Sequence, residues 1–266
     1  MKVLANDGIS PSGVQALEAA GFEVLTTKVA QEQLKNYINA QGVSALLVRS
    51  ATQVRKDLID ACPSLKLIGR GGVGMDNIDV AHAKSKGIHV VNTPKASSSS
   101  VAELVFAHLY GGARFLHDAN RNMPLEGDSN FKKLKKSYAA GTELRGKTIG
   151  IIGFGRIGQE VAKIALGCGM KVSYFDPKLD EQKITIDFFD GQQVSFSLSS
   201  TPMDALLGEA DFISIHVPAQ KEYVIGASEF DKMKQGVAIV NAARGGTLDE
   251  VALVNSIKYG KVRFAG

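Results

Sequence analysis

The chain has 266 residues, 44% of them hydrophobic and 22% charged, which fits a soluble globular protein with one large or two modest domains. Its net charge of +4 is mild, and its one basic cluster, KKLKK at 132–136, predicts a solvated helix face and argues against nucleic-acid binding. The absence of a secretory signal, of a membrane-spanning run and of any disulfide or metal pattern in the two distant cysteines indicates a cytoplasmic protein without a metal site.

Short apolar runs alternate with amphipathic segments over the first hundred residues. Ser10 is expected to cap a helix that has Pro11 in its first turn and Gly21 at its end. In chain order, strands are predicted at KVLAND, FEVLTT, SALLVRS, LKLIGRGG and IHVVNTP, and helices at SPSGVQALEAAG, QEQLKNYINAQG, RKDLIDACP and NIDVAHAKSKG. This alternation predicts an α/β domain with a parallel sheet over residues 1–97.

A long helix is predicted at about residues 100–117, with a weak point at Gly111–Gly112. Its length would carry the chain from the first domain into a second one at 98–266. That second domain repeats the alternation of strands and helices, from KTIGIIGFGRIG through DFISIHVP and GVAIVNAARGG to EVALVNSIKYG. The two halves are therefore expected to share an architecture, also with a parallel sheet.

GFGRIG, at 153–158, matches the G-x-G-x-x-G pattern between a predicted strand and a predicted helix. Gly153 would permit a tight turn, Gly155 would let the main chain approach a pyrophosphate, and Gly158 would let helix and strand pack closely. Asp176 ends the next predicted strand, where a carboxylate can accept hydrogen bonds from ribose hydroxyls and favours NAD over NADP. The alternative is a glycine-lined turn without a ligand, with Asp176 serving only the turn beside Pro177.

With these motifs the chain resembles the D-isomer-specific 2-hydroxyacid dehydrogenases. The likeness is carried by LLVRSAT, GRGGVGMDNID, GIHVVNTP, SSVAEL, GTELRGKTIGIIGFGRIG, VNAARGG and LDEVAL, in this order along the chain. The resemblance implies two Rossmann-like or flavodoxin-like domains with a cleft between them, the first binding substrate and the second NAD. It also implies a small-molecule substrate and a homodimer or tetramer, with the helix at 100–117 helping to form the dimer.

Arg244, in NAARGGTLDE, stands among small residues and is not suited to filling a core. The resemblance implies that it is catalytic and holds the substrate carboxylate and keto oxygen. Oxidation at C2 of a 2-hydroxy acid changes the charge on that oxygen, and a guanidinium can bind it together with the carboxylate. The alternative is a loop arginine in a surface ion pair.

Three further residues are implied to bind substrate. The main chain around Val73 and Gly74 would bind the carboxylate end, although the same loop could simply be a turn capped by Asp76 and Asn77. Arg49, at a predicted strand end, matches an arginine that binds a substrate phosphate in one branch of the family. Arg49 could instead be an ordinary surface arginine.

The remaining cofactor contacts implied by position are Arg156 and Ile157 at the pyrophosphate, Val217 on the adenosine side, and Ala242. Val217 stands where the family often has a polar residue, so one hydrogen bond to the cofactor is expected to be missing. His216, beside it, is interpreted as structural and not as the acid or base of the reaction.

The family reaction also needs a histidine as general acid/base and a glutamate that orients it. None of the five histidines lies in a matching motif, and both family positions fall after VRFAG, at the end of the sequence. The printed sequence is therefore expected to be part of a longer chain, with the NAD-binding domain lacking its C-terminal end. By itself it is expected to bind NAD weakly and to lack useful turnover.

Within the family the resemblance is strongest to the phosphoglycerate dehydrogenase branch, mainly through Arg49. It implies oxidation of 3-phospho-D-glycerate to 3-phosphohydroxypyruvate by NAD⁺, in the phosphorylated pathway of serine biosynthesis. The alternatives are a dehydrogenase acting on glyoxylate, hydroxypyruvate or D-lactate, and a non-catalytic NAD(H)-sensing binding protein.

Overall fold

The computed structural model describes residues 1–266 in full. The contacts between residues divide the chain into two compact units, Met1–Ser97 and Ser98–Gly266. These are called the N-terminal unit and the C-terminal unit.

The N-terminal unit alternates five strands with four helices. In chain order they are β1 (Lys2–Ala5), α1 (Pro11–Ala19), β2 (Glu23–Leu25), α2 (Gln31–Gln41), β3 (Val43–Val48), α3 (Lys56–Ala61), β4 (Leu67–Arg70), α4 (Val80–Ser85) and β5 (His89–Asn92). The side chain of Ser10 accepts a hydrogen bond from the N–H of Gly13 and Pro11 begins α1, so the predicted helix start is confirmed.

All five strands of this unit are parallel, in the order β2-β1-β3-β4-β5. This is the flavodoxin-like order, in which the connections reverse direction between β1 and β3. Leu4, Leu46 and Ile68, on the three central strands, are fully buried in one hydrophobic core. The predicted α/β class with a parallel sheet is confirmed for this unit.

The C-terminal unit contains seven strands and seven helices. They are α5 (Ser98–Ala113), α6 (Leu116–Glu126), α7 (Phe131–Tyr138), β6 (Thr148–Ile152), α8 (Arg156–Gly167), β7 (Lys171–Phe175), β8 (Glu181–Asp187), β9 (Gln193–Ser199), α9 (Met203–Glu209), β10 (Phe212–Ile215), α10 (Ala227–Lys232), β11 (Val237–Asn241), α11 (Glu250–Lys258) and β12 (Val262–Ala265). The lysines of KKLKK are exposed on α7, as predicted.

The main sheet of the C-terminal unit is also parallel, in the order β12-β11-β10-β6-β7. Its connections reverse between β6 and β10, so the two units share one topology. Both faces of this sheet are covered, one by a core that includes α5 and α8, the other by a core that includes α9, α10 and α11. The strands are therefore almost continuously apolar, as expected for a parallel sheet covered on both faces.

The antiparallel hairpin of β8 and β9 has no counterpart among the predicted elements. Ile184 and Phe196 are opposed across the hairpin on the side that packs toward the core, and two residues of its tip, Phe188 and Phe189, are exposed. Lys183, Thr185 and Asp187 alternate with Ile184 and Ile186 along β8, a pattern consistent with a half-exposed two-stranded ribbon.

The prediction of one continuous helix over 100–117 is wrong. The helix ends at Ala113, and Phe115 adopts a left-handed conformation with φ of 55°, after which α6 begins at Leu116. The expected weak point, Gly111–Gly112, lies inside α5. The ring of Phe264 occupies the place of a side chain at Gly112, so this glycine serves close packing of strand and helix and does not break the helix.

None of the helices is both long enough and apolar enough to cross a lipid bilayer.

Candidate functional site

The glycine-rich turn joins β6 to α8 and is tightly packed at two of its three glycines. Gly153 has φ of 89°, and a Cβ atom there would lie 2.8 Å from the carbonyl oxygen of His216. A Cβ on Gly158 would collide with the carbonyl oxygen of Gly153. At Gly155, in contrast, no atom lies within 4 Å of the Cβ position. The turn thus packs closely against the protein at Gly153 and Gly158 and leaves space over Gly155.

The N-terminus of α8 follows this turn. Gly155 is the N-cap residue, and no side chain accepts a hydrogen bond from the first helical N–H groups. Arg156 is exposed in the first turn, while Ile157 packs partly against the core. Uncapped N–H groups and the positive end of the helix dipole favour a phosphate group at this position.

Asp176 directly follows β7 and bonds to the glycine-rich turn. One carboxylate oxygen accepts a hydrogen bond from the N–H of Phe154, at 2.9 Å. The other oxygen accepts one from the N–H of Lys178, also at 2.9 Å. Asp176 therefore serves a turn beside Pro177 and is also fixed against the main chain of the glycine-rich turn.

His216 and Val217 follow β10. The imidazole Nε2 of His216 lies 2.7 Å from the hydroxyl of Ser214, and its Nδ1 is inaccessible to solvent without a hydrogen-bond partner in the protein. Burial lowers the pKa of His216 to about 4, so the ring is neutral near pH 7. Val217 lies against Gly153, with Cγ1 3.0 Å from the place of a Cβ atom.

Arg244 lies in the turn that follows β11, together with Ala242. Its carbonyl oxygen accepts hydrogen bonds from the amide of Asn241 at 3.1 Å and from the hydroxyl of Thr247 at 2.8 Å. Its guanidinium Nη1 donates to the carbonyl oxygen of Ala243 at 2.7 Å. Thr247 is fully buried, so the main chain of the arginine turn is held from inside the unit.

The structure brings these segments of the C-terminal unit to one edge of the sheet. The glycine-rich turn, Asp176, Val217 and the arginine turn follow β6, β7, β10 and β11, which are parallel and neighbouring strands. Open α/β sheets bind ligands outside the carboxyl ends of the strands, where the connections reverse direction. In this unit that place lies between β6 and β10.

The N-terminal unit has a cavity of about 590 Å³ at the corresponding edge of its own sheet. It is lined by Asp7 and Gly8 after β1, by Arg49 after β3, by Arg70 and Gly71 at β4, and by Asn92 and Thr93 at β5, among others. The guanidinium of Arg49 forms no ion pair or hydrogen bond within the protein, and that of Arg70 donates one hydrogen bond, to Asn77. The cavity therefore presents two arginines without a carboxylate partner.

Val73 and Gly74 lie outside the residues that line this cavity. The carbonyl oxygen of Val73 accepts a hydrogen bond from the side chain of Asn92 at 2.7 Å. In the alternative of a turn capped by Asp76 and Asn77, the Asn77 side chain does not cap α4, which begins after Asp79 without a side-chain cap, but bonds to the carbonyl oxygens of Arg49 and Thr52. Substrate binding by the main chain of Val73 and Gly74 stays a prediction.

Comparison with known proteins agrees with these features. The family profile described as D-isomer specific 2-hydroxyacid dehydrogenase, NAD binding domain, matches residues 106–266. A hydroxypyruvate reductase of Thermotoga maritima is 43% identical over 268 residues, covering 100% of this chain and 81% of the relative. A D-3-phosphoglycerate dehydrogenase of Archaeoglobus fulgidus is 41% identical, covering 100% of this chain and 48% of the relative. The crystal structure of an Aquifex aeolicus D-lactate dehydrogenase with NAD and lactic acid is similar with a TM-score of 0.72 and 30% identity, covering 100% of this chain and 76% of that one.

The chain belongs to the D-isomer-specific 2-hydroxyacid dehydrogenase family. Such dehydrogenases are NAD-dependent oxidoreductases, and NAD is the cofactor of this chain. The chain spans most of the reductase it resembles but only about half of the phosphoglycerate dehydrogenase.

The residues of the C-terminal unit fit this dehydrogenase cofactor. The open space over Gly155 and the uncapped start of α8 suit a pyrophosphate. Asp176 is half-buried beside the turn and has lone pairs left for ribose hydroxyls, since each oxygen accepts one bond from the protein. The buried Nδ1 of His216 is a further polar atom that lacks a partner in the protein beside this turn.

The sequence analysis of this dehydrogenase missed several polar residues. Arg70 and Asp7 line the cavity of the N-terminal unit, and Thr247 and Asn241 hold the turn of Arg244. Arg70, Thr247 and Asn241 stand in motifs that were considered for their glycines or for Arg244, and Asp7 ends the predicted strand KVLAND. The only available signal was a polar residue at or just after the end of a buried parallel strand, which is where ligand-binding side chains gather.

Proposed function

We propose that the chain oxidises 3-phospho-D-glycerate to 3-phosphohydroxypyruvate with NAD⁺, the first step of a phosphorylated route to serine. In this proposal residues 1–97 bind the substrate and residues 98–266 bind NAD. The observation that carries it is the pair of arginines without carboxylate partners, Arg49 and Arg70, in the cavity of the N-terminal unit. A substrate with a phosphate at one end needs an arginine for that phosphate in addition to an arginine for its carboxylate.

Arg49 binds the phosphate of the substrate, which carries close to two negative charges near pH 7. The cavity is large enough for a three-carbon phosphate, and its arginines have no carboxylate that the phosphate would need to displace. The main chain around Val73 and Gly74 binds the carboxylate end. Small residues in the loop support this role, because main-chain N–H groups can approach an anion only where side chains leave room.

Arg244 is the catalytic residue of this proposal and binds the carboxylate and the C2 oxygen with its planar fork of N–H donors. As C2 is oxidised, the charge of the guanidinium stabilises the charge that develops on the oxygen. When bound, NAD⁺ would supply the acceptor for the hydride from C2, and the hydroxyl proton would pass to the histidine base that the family reaction needs. Gly153, Gly155, Arg156, Ile157 and Gly158 form the pyrophosphate site, and Asp176, Val217 and Ala242 complete the contacts with the dinucleotide.

A second candidate is the reduction of hydroxypyruvate or glyoxylate. It is favoured by the 43% identity to a protein named hydroxypyruvate reductase, of which this chain spans 81%. The roles of Arg244 and of the cofactor residues would be the same. The difference lies in Arg49, which would have no phosphate to bind.

Calorimetric titration with 3-phospho-D-glycerate and with D-glycerate distinguishes the two candidates. The proposal expects the phosphorylated acid to bind at least about tenfold more tightly, and Arg49→Ala to remove most of that difference, since hydrogen bonds to charged groups contribute about 1.5–3 kcal/mol. Lys28→Ala is the matched control, because Lys28 is an exposed cation of the same unit without a hydrogen bond or ion pair. Equal affinity for the two acids, unaffected by Arg49→Ala, would favour the second candidate.

Oxidation of NADH by a chain of the full length of the reductase relative, with 3-phosphohydroxypyruvate, hydroxypyruvate, glyoxylate and pyruvate as acceptors, tests the reaction itself. The highest kcat/KM is expected for 3-phosphohydroxypyruvate. If NADH binds but none of the four acceptors is reduced by a chain of the full length of the reductase relative, the protein is a non-catalytic NAD(H)-binding protein.

We also propose that the protein acts in the cytoplasm as a homodimer or tetramer. Leu104 of α5 and Leu116 and Leu125 of α6 expose 53%, 58% and 79% of their surface, an apolar set that a second subunit would cover. Light scattering coupled to size-exclusion chromatography measures the mass in solution. A single species at the mass of one chain would contradict the assembly but not the reaction.

A further inference from the structure

Two side chains hold the segment that carries Arg49. Asp7, after β1, accepts hydrogen bonds from the main-chain N–H groups of Arg49 at 2.6 Å and of Thr52 at 3.1 Å. Asn77 donates from its amide to the carbonyl oxygens of the same two residues, at 2.9 Å and 2.7 Å. Both main-chain polar groups of Arg49 and of Thr52 are therefore bound by these two side chains.

Asn77 connects this segment to the second arginine of the cavity. Its side-chain oxygen accepts a hydrogen bond from Nε of Arg70 at 3.2 Å, while its nitrogen holds the carbonyl groups of Arg49 and Thr52. The residue is buried, with 7% of its surface exposed. Only a side chain that is donor and acceptor at once can do this, so an aspartate at the same place could not replace it.

Asp7 carries a negative charge next to a cavity that presents two arginines, and its hydrogen bonds explain why it does not form an ion pair with them. One oxygen accepts both N–H groups of the segment, and the other accepts the hydroxyl of Thr52 at 2.6 Å. Thr52 is held in turn by the buried amide of Asn6 at 2.8 Å. Burial alone would raise the pKa of Asp7, but the hydrogen bonds from the Thr52 side chain and the main chain outweigh it and lower the pKa.

We infer that Asp7 and Asn77 are positioning residues for the phosphate group of the substrate, which fix Arg49 and Arg70 before the phosphate arrives. The inference rests on the proposed function. An arginine on a mobile loop loses conformational freedom on binding an anion, and a segment already fixed on both sides loses less. Asp7 and Asn77 need not touch the phosphate, so their effect passes through the two arginines.

Affinity for the phosphorylated acid should therefore depend on both residues. Asn77→Ala and Asp7→Ala are each expected to weaken binding of 3-phospho-D-glycerate at least about tenfold, with D-glycerate affected less than about threefold, the scale of preorganisation effects. Asp7→Asn should restore most of the affinity, because both N–H groups bond to one oxygen, Oδ2, which an amide oxygen can replace. The controls are Asp57→Ala and Asn36→Ala, two exposed residues of the same unit without side-chain hydrogen bonds.

Hydrogen exchange gives a second measurement, and its first part, in the unaltered protein, does not depend on the folding of a variant. The amides of Arg49 and Thr52 should exchange slowly although Arg49 is exposed, and Asp7→Ala should accelerate both without changing the amides of α2. Fast exchange of the two amides in the unaltered protein would overturn the inference.

The binding data separate this inference from the proposed function. If Arg49→Ala weakens binding of the phosphorylated acid while Asp7→Ala and Asn77→Ala, folded by circular dichroism, bind it as tightly as the unaltered protein, only the inference fails. If Arg49→Ala itself has no effect, the proposed function fails and the inference fails with it.

Discussion

The rings of Phe154 and Tyr174 are stacked, with centroids 3.8 Å apart and an angle of 11° between the planes. Phe154 belongs to the glycine-rich turn and Tyr174 to β7, and both are fully buried. The hydroxyl of Tyr174 lies 3.2 Å from the carbonyl oxygens of Leu179 and Asp180 and 3.4 Å from that of Leu198, at the base of the β8–β9 hairpin. The cofactor turn thus packs on a side chain that is also bonded to the hairpin.

Tyr174→Phe tests the hydrogen bonds of the Tyr174 hydroxyl separately from the stacking of its ring on Phe154. The ring remains on Phe154, but the three carbonyl oxygens lose their shared donor, so the free energy of unfolding should fall by about 1–2 kcal/mol. Tyr174→Ala also removes the stacked ring and should cost about 3–5 kcal/mol. Urea unfolding measures both, with Tyr259→Phe as control because Tyr259 is 85% exposed. Equal losses for the two Tyr174 variants would mean that the stack contributes nothing.

The three glycines of the cofactor turn should respond differently to alanine. Gly153→Ala and Gly158→Ala place a Cβ atom against main-chain carbonyl groups, and Gly153 also has φ of 89°, so both variants should lose stability as well as NADH binding. Gly155→Ala has open space around its Cβ and should fold normally.

NADH fluorescence titration of Gly155→Ala then tests the pyrophosphate site alone. A methyl group at this position blocks the approach of the phosphates to the main chain, so affinity should fall about tenfold or more at unchanged melting temperature. Unchanged NADH affinity in this variant would place the pyrophosphate elsewhere.

Asp176 is expected to decide between the two dinucleotides. A carboxylate repels the 2′-phosphate of NADP, and its removal in Asp176→Ser should weaken NADH and strengthen NADPH, reducing the preference for NADH about tenfold or more. Part of the loss of NADH affinity is expected because the N–H of Phe154 loses its hydrogen-bond acceptor, the Asp176 carboxylate. Asp180→Ser, a short distance along the same segment, is the control. A preference that stays unchanged in Asp176→Ser would argue against contact between Asp176 and the ribose.

Most strands of the two parallel sheets, and the helices of the N-terminal unit, were predicted because they are short apolar or amphipathic runs, several of them bounded by glycine, proline or a cap such as Ser10. The strand β12 and the helices α9 and α10 were not predicted. The break at Phe115 could not be predicted, because a bulky residue with positive φ has no local signature and is held by its tertiary surroundings. The β8–β9 hairpin does have a local signal, which was not used. Apolar and polar residues alternate along ITI in β8 and VSFSL in β9, the pattern of half-buried strands.

The residues proposed to contact substrate or cofactor were predicted where they stand in a motif, as for Gly153, Asp176 and Arg244. The residues that hold the site in place by hydrogen bonds were not predicted, because a hydrogen bond such as that from Asn77 to Arg49 joins residues 28 positions apart. The same holds for Asp7 and Thr52, which are 45 positions apart. Sequence spacing carries no information about such pairs, and only the strand order of the sheet brings them together.

His216 should make the stability of the protein depend on pH. Its pKa in the folded protein is about 4, below the ordinary value of 6.5, because burial disfavours the charged ring. The unfolded chain therefore binds more protons than the folded one between these two values. The stabilising effect of the neutral ring is complete above about pH 6.5 and decreases as the pH falls toward 4.

The titration of His216 alone should lower the free energy of unfolding of the protein by about 2 kcal/mol between about pH 7 and about pH 5. His216→Gln removes the titrating ring and leaves a neutral side chain that can still bond to Ser214, so its stability should change less over that interval. Denaturant unfolding of both proteins at the two pH values measures the difference, and His89→Gln controls for loss of an exposed histidine. If His216→Gln and the unaltered protein lose the same stability on acidification, the ring is not held neutral by burial.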